Sequence, residues 1–135
     1  MPTQGMPKVL LADSSPRMRR ILRVNLEGAG CAVTETSGEG LDRLVREASF
    51  AALVLNLDGR GPGVCDAVNV LRRRNEGAVI AGYSILPVDE RIRQMCIDMY
   101  VETPFDVARL ANEVRRACER AFLLASEPLV QPLPS

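Results

Sequence analysis

The sequence predicts an α/β domain of (βα)5 type, a five-stranded parallel sheet with helices on both faces. Three observations carry that expectation. Short apolar runs of four to six residues alternate along the chain with longer stretches whose apolar residues recur at helical spacing. Two of the runs, KVLLA at 8–12 and ALVLNL at 52–57, have almost no polar residue on either alternating face. A strand of that kind needs cover on both sides, which parallel sheets obtain from crossover helices. The chain has 135 residues, 47% of them hydrophobic and 25% charged, which suits one domain with its own core.

Taken in order, residues 8–12 form the first strand. Ser14, Ser15 and Pro16 then supply a helix cap and a proline for the first turn. The helix that follows places Met18, Ile21, Leu22 and Leu26 on one face, and Gly28 and Gly30 stop it. Residues 32–36 form the second strand, and Leu41, Leu44, Val45 and Ala48 line the second helix. The third strand covers 52–57 and the glycine-rich run 59–63 follows it. Cys65, Val68 and Leu71 mark the third helix, with Arg72, Arg73 and Arg74 at its C-terminal end, where cations suit the helix dipole. The fourth strand is 78–83. Ile92, Met95 and Cys96 mark a fourth helix, 99–102 a short fifth strand, and Val107, Leu110, Val114, Ala117 and Ala121 a long last helix. Residues 1–7 and 125–135, rich in proline, read as flexible segments around a domain at 8–124, the first a tail and the second a tail or a linker. For such a chain the flavodoxin-like strand order 2-1-3-4-5 is expected, with the site at the carboxyl ends of strands 1 and 3.

Composition excludes several chemistries. Seventeen basic residues balance seventeen acidic ones, so no net positive field favours nucleic acid. The chain has no histidine, which removes His-based triads and the commonest zinc sites. Cys31, Cys65, Cys96 and Cys118 form no CxxC pair and read as small buried thiols of a cytoplasmic protein. No apolar run is long enough to span a membrane, and no signal-peptide pattern opens the chain. The run 59–63 lacks the lysine and spacing of a phosphate-binding P-loop and reads as a loop. Arg17, Arg19, Arg20 and Arg23 cluster on the first helix, as a solvated face or a docking surface for an acidic partner.

With KVLLADSSPRMRRIL at the first strand and helix, ALVLN at the third strand and YVETPF after the fifth, the chain resembles the receiver domains of bacterial two-component response regulators over about residues 7–122. In that family two acidic residues end the first strand and help hold Mg²⁺. An aspartate ending the third strand accepts a phosphoryl group, a Ser or Thr ends the fourth, and a lysine ends the fifth. Here Asp13 keeps the first acidic position and Ser14 stands at the second. Asn56 stands at the phosphoacceptor, Tyr83 at the Ser/Thr position (Ser84 after a slip of one residue) and Thr103 at the lysine. Lys8, the single lysine, lies at the opposite end of strand 1. An amide is neither a useful nucleophile nor a charged metal ligand, so Mg²⁺ is expected to bind weakly, at Asp13 and Asp58 at most, and no other cofactor is expected.

Pro62 points instead to Asp58 as the acceptor. The phase of the third helix favours Asn56, because that reference puts Cys65, Ala67, Val68 and Leu71 on core positions, whereas Asp58 would put Asn69 and Arg73 there. Asp13 suits either a metal or a helix cap. Asn56 suits a neutral replacement that removes charge repulsion with Asp13. Tyr100, three residues before Thr103, stands where the family carries an aromatic that swings between exposed and buried states; a half-buried strand tyrosine is the alternative.

The expectation is a non-enzymatic pseudo-receiver that binds a signalling partner, a histidine kinase or an output domain, through its last two helices and the strand between. The resemblance also implies a homodimer through that face. The alternatives are an atypical phosphoacceptor using Asp58 with Asp13 and Mg²⁺, and a small-ligand or flavin binder, which two Tyr, three Phe and no Trp make poorly equipped.

Overall fold

The computed structural model describes residues 5–58, 63–85, 97–102 and 105–126. Five strands form one sheet in the order β2-β1-β3-β4-β5. They are β1 (Lys8–Ala12), β2 (Ala32–Thr36), β3 (Ala52–Asn56), β4 (Val79–Ser84) and β5 (Met99–Glu102), and every pairing is parallel. The described helices are α1 (Pro16–Gly28), α2 (Leu41–Glu47), α3 (Gly63–Arg74) and the C-terminal α4 (Val107–Ser126). The helix expected around Ile92, Met95 and Cys96, and residues 1–4 and 127–135 of the expected tails, lie outside the described residues.

Strand alternation sorts the core into two layers. Leu10, Ala12, Leu53, Leu55 and Ile80 point to one face, where α2 and α3 cover them with Leu41, Val45, Val64, Ala67, Val68 and Leu71. Val9, Leu11, Ala52, Val54, Ala81 and Tyr83 point to the other, beneath Leu22 and Leu26 of α1 and Leu110, Val114 and Cys118 of α4. Residues 52–55 of β3 are fully buried, as an apolar central strand must be.

Local chemistry sets the helix ends nearest the site. Ser15 caps α1, its Oγ accepting from Met18 N at 3.2 Å, and Pro16 begins the helix. After α1, Gly30 takes φ +97°, and Arg115 of α4 donates to the carbonyls of Ala29 at 3.1 Å and Gly30 at 3.0 Å. A Cβ on Gly30 would stand 2.1 Å from that guanidinium, so the glycine is needed for both conformation and space.

Some expectations shift. β3 ends at Asn56 rather than at 57, although Leu57 stays buried and its N–H bonds to Tyr83 O at 2.8 Å. β4 runs from Val79 to Ser84, one residue later than expected. α4 continues through Ala125 and Ser126, where the tail was expected to begin. Ile21, expected on the buried stripe of α1, is 41% exposed because it sits where that stripe meets a cleft. In α3, Val64, Ala67, Val68 and Leu71 are buried while Asn69 and Arg73 are exposed; Cys65 is half-buried. Cys31 and Cys118 are buried as expected, and Cys96 lies outside the described residues.

Candidate functional site

The strand order puts the carboxyl ends of β1, β3 and β4 side by side, and register decides which side chains meet there. Leu55 of β3 pairs with Ala12 of β1, and Asn56 pairs with Tyr83 of β4. Asp13 follows β1 directly. Asp13, Asn56 and Tyr83 therefore fall on the α1/α4 face, by the alternation that places Leu11, Val54 and Ala81 there.

These three residues form one hydrogen-bonded group around a buried carboxylate. Asp13 is 1% exposed. Its Oδ1 accepts from Ser15 N at 2.8 Å, and its Oδ2 accepts from Asn56 Nδ2 at 3.2 Å and from the Tyr83 hydroxyl. Its backbone carbonyl accepts from Arg19 at 2.6 Å. The hydrogen bonds to the Asp13 carboxylate oxygens thus come from three neutral donors, one of them the Ser15 N–H at the start of α1, while the Arg19 guanidinium is held at the backbone carbonyl. Asn56 also holds the next turn, its Oδ1 accepting from Asp58 N at 2.8 Å. The Tyr83 ring is 2% exposed and packs on Phe105, with ring centroids 5.5 Å apart and an interplanar angle of 48°.

The remaining expected site residues do not join this group. Ser14 is exposed at the start of the β1–α1 turn. Asp58 turns toward the loop after β4, where its two oxygens accept from Ile85 N at 3.2 and 3.0 Å. Ser84 is fully buried on the opposite, α2/α3 side of the sheet, and its Oγ lies 2.6 Å from the Tyr100 hydroxyl. Ser84, the other candidate for the Ser/Thr position, therefore faces away from Asp13. Tyr100 is half-buried, and its hydroxyl also lies 3.5 Å from Glu102 Oε1. Thr103 lies outside the described residues.

Beside the carboxylate opens a cleft of about 490 Å³ lined by Met18, Ile21, Ile85, Phe105 and Val107 together with Asp13, Ser15, Asn56 and Tyr83, and Arg17 of α1 lines it as well. Ile85 is 71% exposed at its rim. The apolar residues around the cleft and the roles of Arg19 and Phe105 were not anticipated from the sequence, whereas the Ser15 cap was. Strand parity would have placed Tyr83 with Asp13, but no sequence pattern reports a hydroxyl reaching across a strand.

The fit to Mg²⁺ is poor. Among the described residues no three Cys, Asp or Glu side chains gather as a metal site. The one buried carboxylate already accepts three hydrogen bonds, and its neighbour at the end of β3 is an amide. Mg²⁺ demands a near-ideal octahedron of oxygens with carboxylate help, which this donor set does not offer. No described helix is long and apolar enough to cross a membrane.

No family model matches the sequence, and no curated protein matches it. Solved structures do. The signal receiver domain of a putative LuxO repressor protein from Vibrio parahaemolyticus matches with a TM-score of 0.74 at 15% identity, over 91% of this chain and 99% of that one. A response regulator receiver protein from Sinorhizobium medicae matches with a TM-score of 0.73 at 21% identity, over 88% and 99%. A CheY-like response regulator receiver domain protein from Methanospirillum hungatei matches with a TM-score of 0.72 at 14% identity, over 89% and 99%. At these identities the likeness is one of fold. The chain has the fold of response regulator receiver domains over most of its length.

Proposed function

We propose that this chain is a receiver-type module of a two-component signalling system that takes no phosphoryl group and acts by binding a protein partner. One observation carries the reading. The side chain at the end of β3, in the middle of the site, is the amide of Asn56, and it donates to the buried carboxylate of Asp13. Phosphoryl transfer to this position needs a carboxylate nucleophile, and that nucleophile needs a metal and a cation to neutralise the incoming oxygens. Here the amide supplies none of the first, the donors around Asp13 are neutral, and Lys8 stands at the far end of β1. The alternative acceptor, Asp58, has both oxygens directed at the backbone of Ile85. The chain thus carries no reaction of its own, and a kinase or an output domain is the class of partner the fold suits.

Intact-mass analysis after incubation with acetyl phosphate and Mg²⁺ tests this, with Asn56→Asp run alongside. The wild-type chain is expected to gain no phosphoryl group. A stoichiometric gain by wild type refutes the reading, and its loss in Asp58→Asn would assign the acceptor to Asp58.

A further inference from the structure

We infer that Tyr83 closes this site to metal ions, so that restoring the missing acids leaves it closed and replacing the tyrosine opens it. The inference rests on the reading above and names the residue that maintains it. In the sheet, β1 and β4 are separated by β3, and second-neighbour strands lie about 9–10 Å apart. A serine or threonine hydroxyl on β4 stops far short of a carboxylate on the β1 side. Tyrosine is long enough to pass the end of β3, and its hydroxyl donates to Asp13 Oδ2.

The ring is not free to withdraw. It is 2% exposed, lies in the core layer with Leu11, Ala81 and Val101, and rests against Phe105. Swinging it out would expose one of the largest buried side chains in the chain. A cation approaching Asp13 therefore meets two donors, Tyr83 O–H and Asn56 N–H, directed at the same oxygen. Converting Asn56 to a carboxylate removes one of them. The Tyr83 hydroxyl still takes Asp13 Oδ2, the oxygen that faces residue 56 and that a hard divalent ion shared by the two carboxylates would need, with the buried ring fixed behind it. The tyrosine stands in for the ion by neutral hydrogen bonding and keeps the ion out by bulk.

The test compares two full-length chains that both carry Ser14→Asp and Asn56→Asp, one retaining Tyr83 and one carrying Tyr83→Thr as well. The probe is Mn²⁺ alone, followed by loss of the free-ion electron paramagnetic resonance signal on titration. The Tyr83→Thr chain is expected to bind at least about tenfold more tightly, a difference of about 1.4 kcal/mol. Tyr83→Val, which keeps a β-branched residue in the strand, replaces it if the threonine variant does not fold. Equal affinity in the two chains, whether tight or absent, overturns the inference. Neither result depends on whether the wild-type chain takes a phosphoryl group, so this inference and the proposed function can fail separately.

Discussion

Asp13→Ala distinguishes this site from one built for metal chemistry by the sign of its effect. Where several carboxylates face one another, each raises the cost of ionising the next, and deleting one relieves repulsion and stabilises the fold. Here Asp13 is a single buried carboxylate that satisfies Ser15 N, Asn56 Nδ2 and the Tyr83 hydroxyl. Removing it leaves three donors without their acceptor. The Tyr83 hydroxyl is buried, and an orphaned donor of that kind costs about 1–3 kcal/mol. The Ser15 amide at the start of α1 loses its side-chain acceptor, a hydrogen bond of about 0.5–1.5 kcal/mol, while the Ser15 cap itself stays. Asn56 is half-buried under the cleft, where water can replace its partner at little cost. The sum is about 3 kcal/mol, a large part of the ~5–15 kcal/mol that holds a domain together. With a urea dependence of about 1–3 kcal/mol per molar, the unfolding midpoint should fall by about 1–3 M. Asp13→Asn, which keeps one acceptor oxygen, should lose less. A midpoint for Asp13→Ala that stays put or rises would show that Asp13 sits in a repulsive site and that the donor count is wrong.

The converse change, Asn56→Asp, places a second carboxylate against Asp13 Oδ2, where the amide now donates at 3.2 Å. It should destabilise the protein by about 1–3 kcal/mol at neutral pH. Acid should shrink the loss, because a proton on either carboxylate removes the repulsion, as paired urea titrations at neutral and acidic pH would show. Burial pushes the Cys118 thiol up to about 11 from its ordinary 9.0. The folded chain therefore holds this proton more tightly than the unfolded chain, and stability is lost as pH rises between 9.0 and about 11. Cys118→Ala should flatten that part of the stability–pH curve, and the wild-type thiol should resist alkylation at pH 8 while half-buried Cys65 reacts. Gly82→Ala would put a Cβ 2.7 Å from Leu57 Cδ1 and 3.2 Å from Leu57 Cγ, both buried between β4 and the α3 layer. Overpacking of this size should cost about 1–3 kcal/mol in thermal or urea unfolding.

How much of this could be read in advance depended on the length scale of the signal. The expected bounds of β1, β2 and β5 match the structure, and Ala67, Val68 and Leu71 form the buried face of α3 as expected, with Val64 buried in place of Cys65, which is half-buried. The end of β3 was misplaced because burial and strand pairing part company there. Leu57 is as buried as any strand residue, yet it lies outside the strand, so hydrophobicity alone overran the boundary. Ile21 was misplaced for the opposite reason. It belongs by spacing to the stripe of Leu22 and Leu26, but the stripe is wider than the surface it covers, and its edge opens on the cleft.

The site shows the same division more sharply. Residue identity and strand parity are local, and together they assign Asp13, Asn56 and Tyr83 to one sheet face and Ser84 and Tyr100 to the other. What the group does is not local. Asn56 and Asp13 are separated by 43 positions and Tyr83 and Asp13 by 70, so their contacts exist only once three parallel strands are in register. A neutral residue at the end of β3 can be read as a lost function from the sequence alone. That the loss is built into a satisfied network, with a tyrosine crossing from β4 to hold the remaining carboxylate, requires the reach of a side chain across a neighbouring strand. A bare deletion of chemistry would leave Asp13 buried and poorly solvated, at a cost of several kcal/mol. The three donors to its carboxylate offset that cost within the receiver fold.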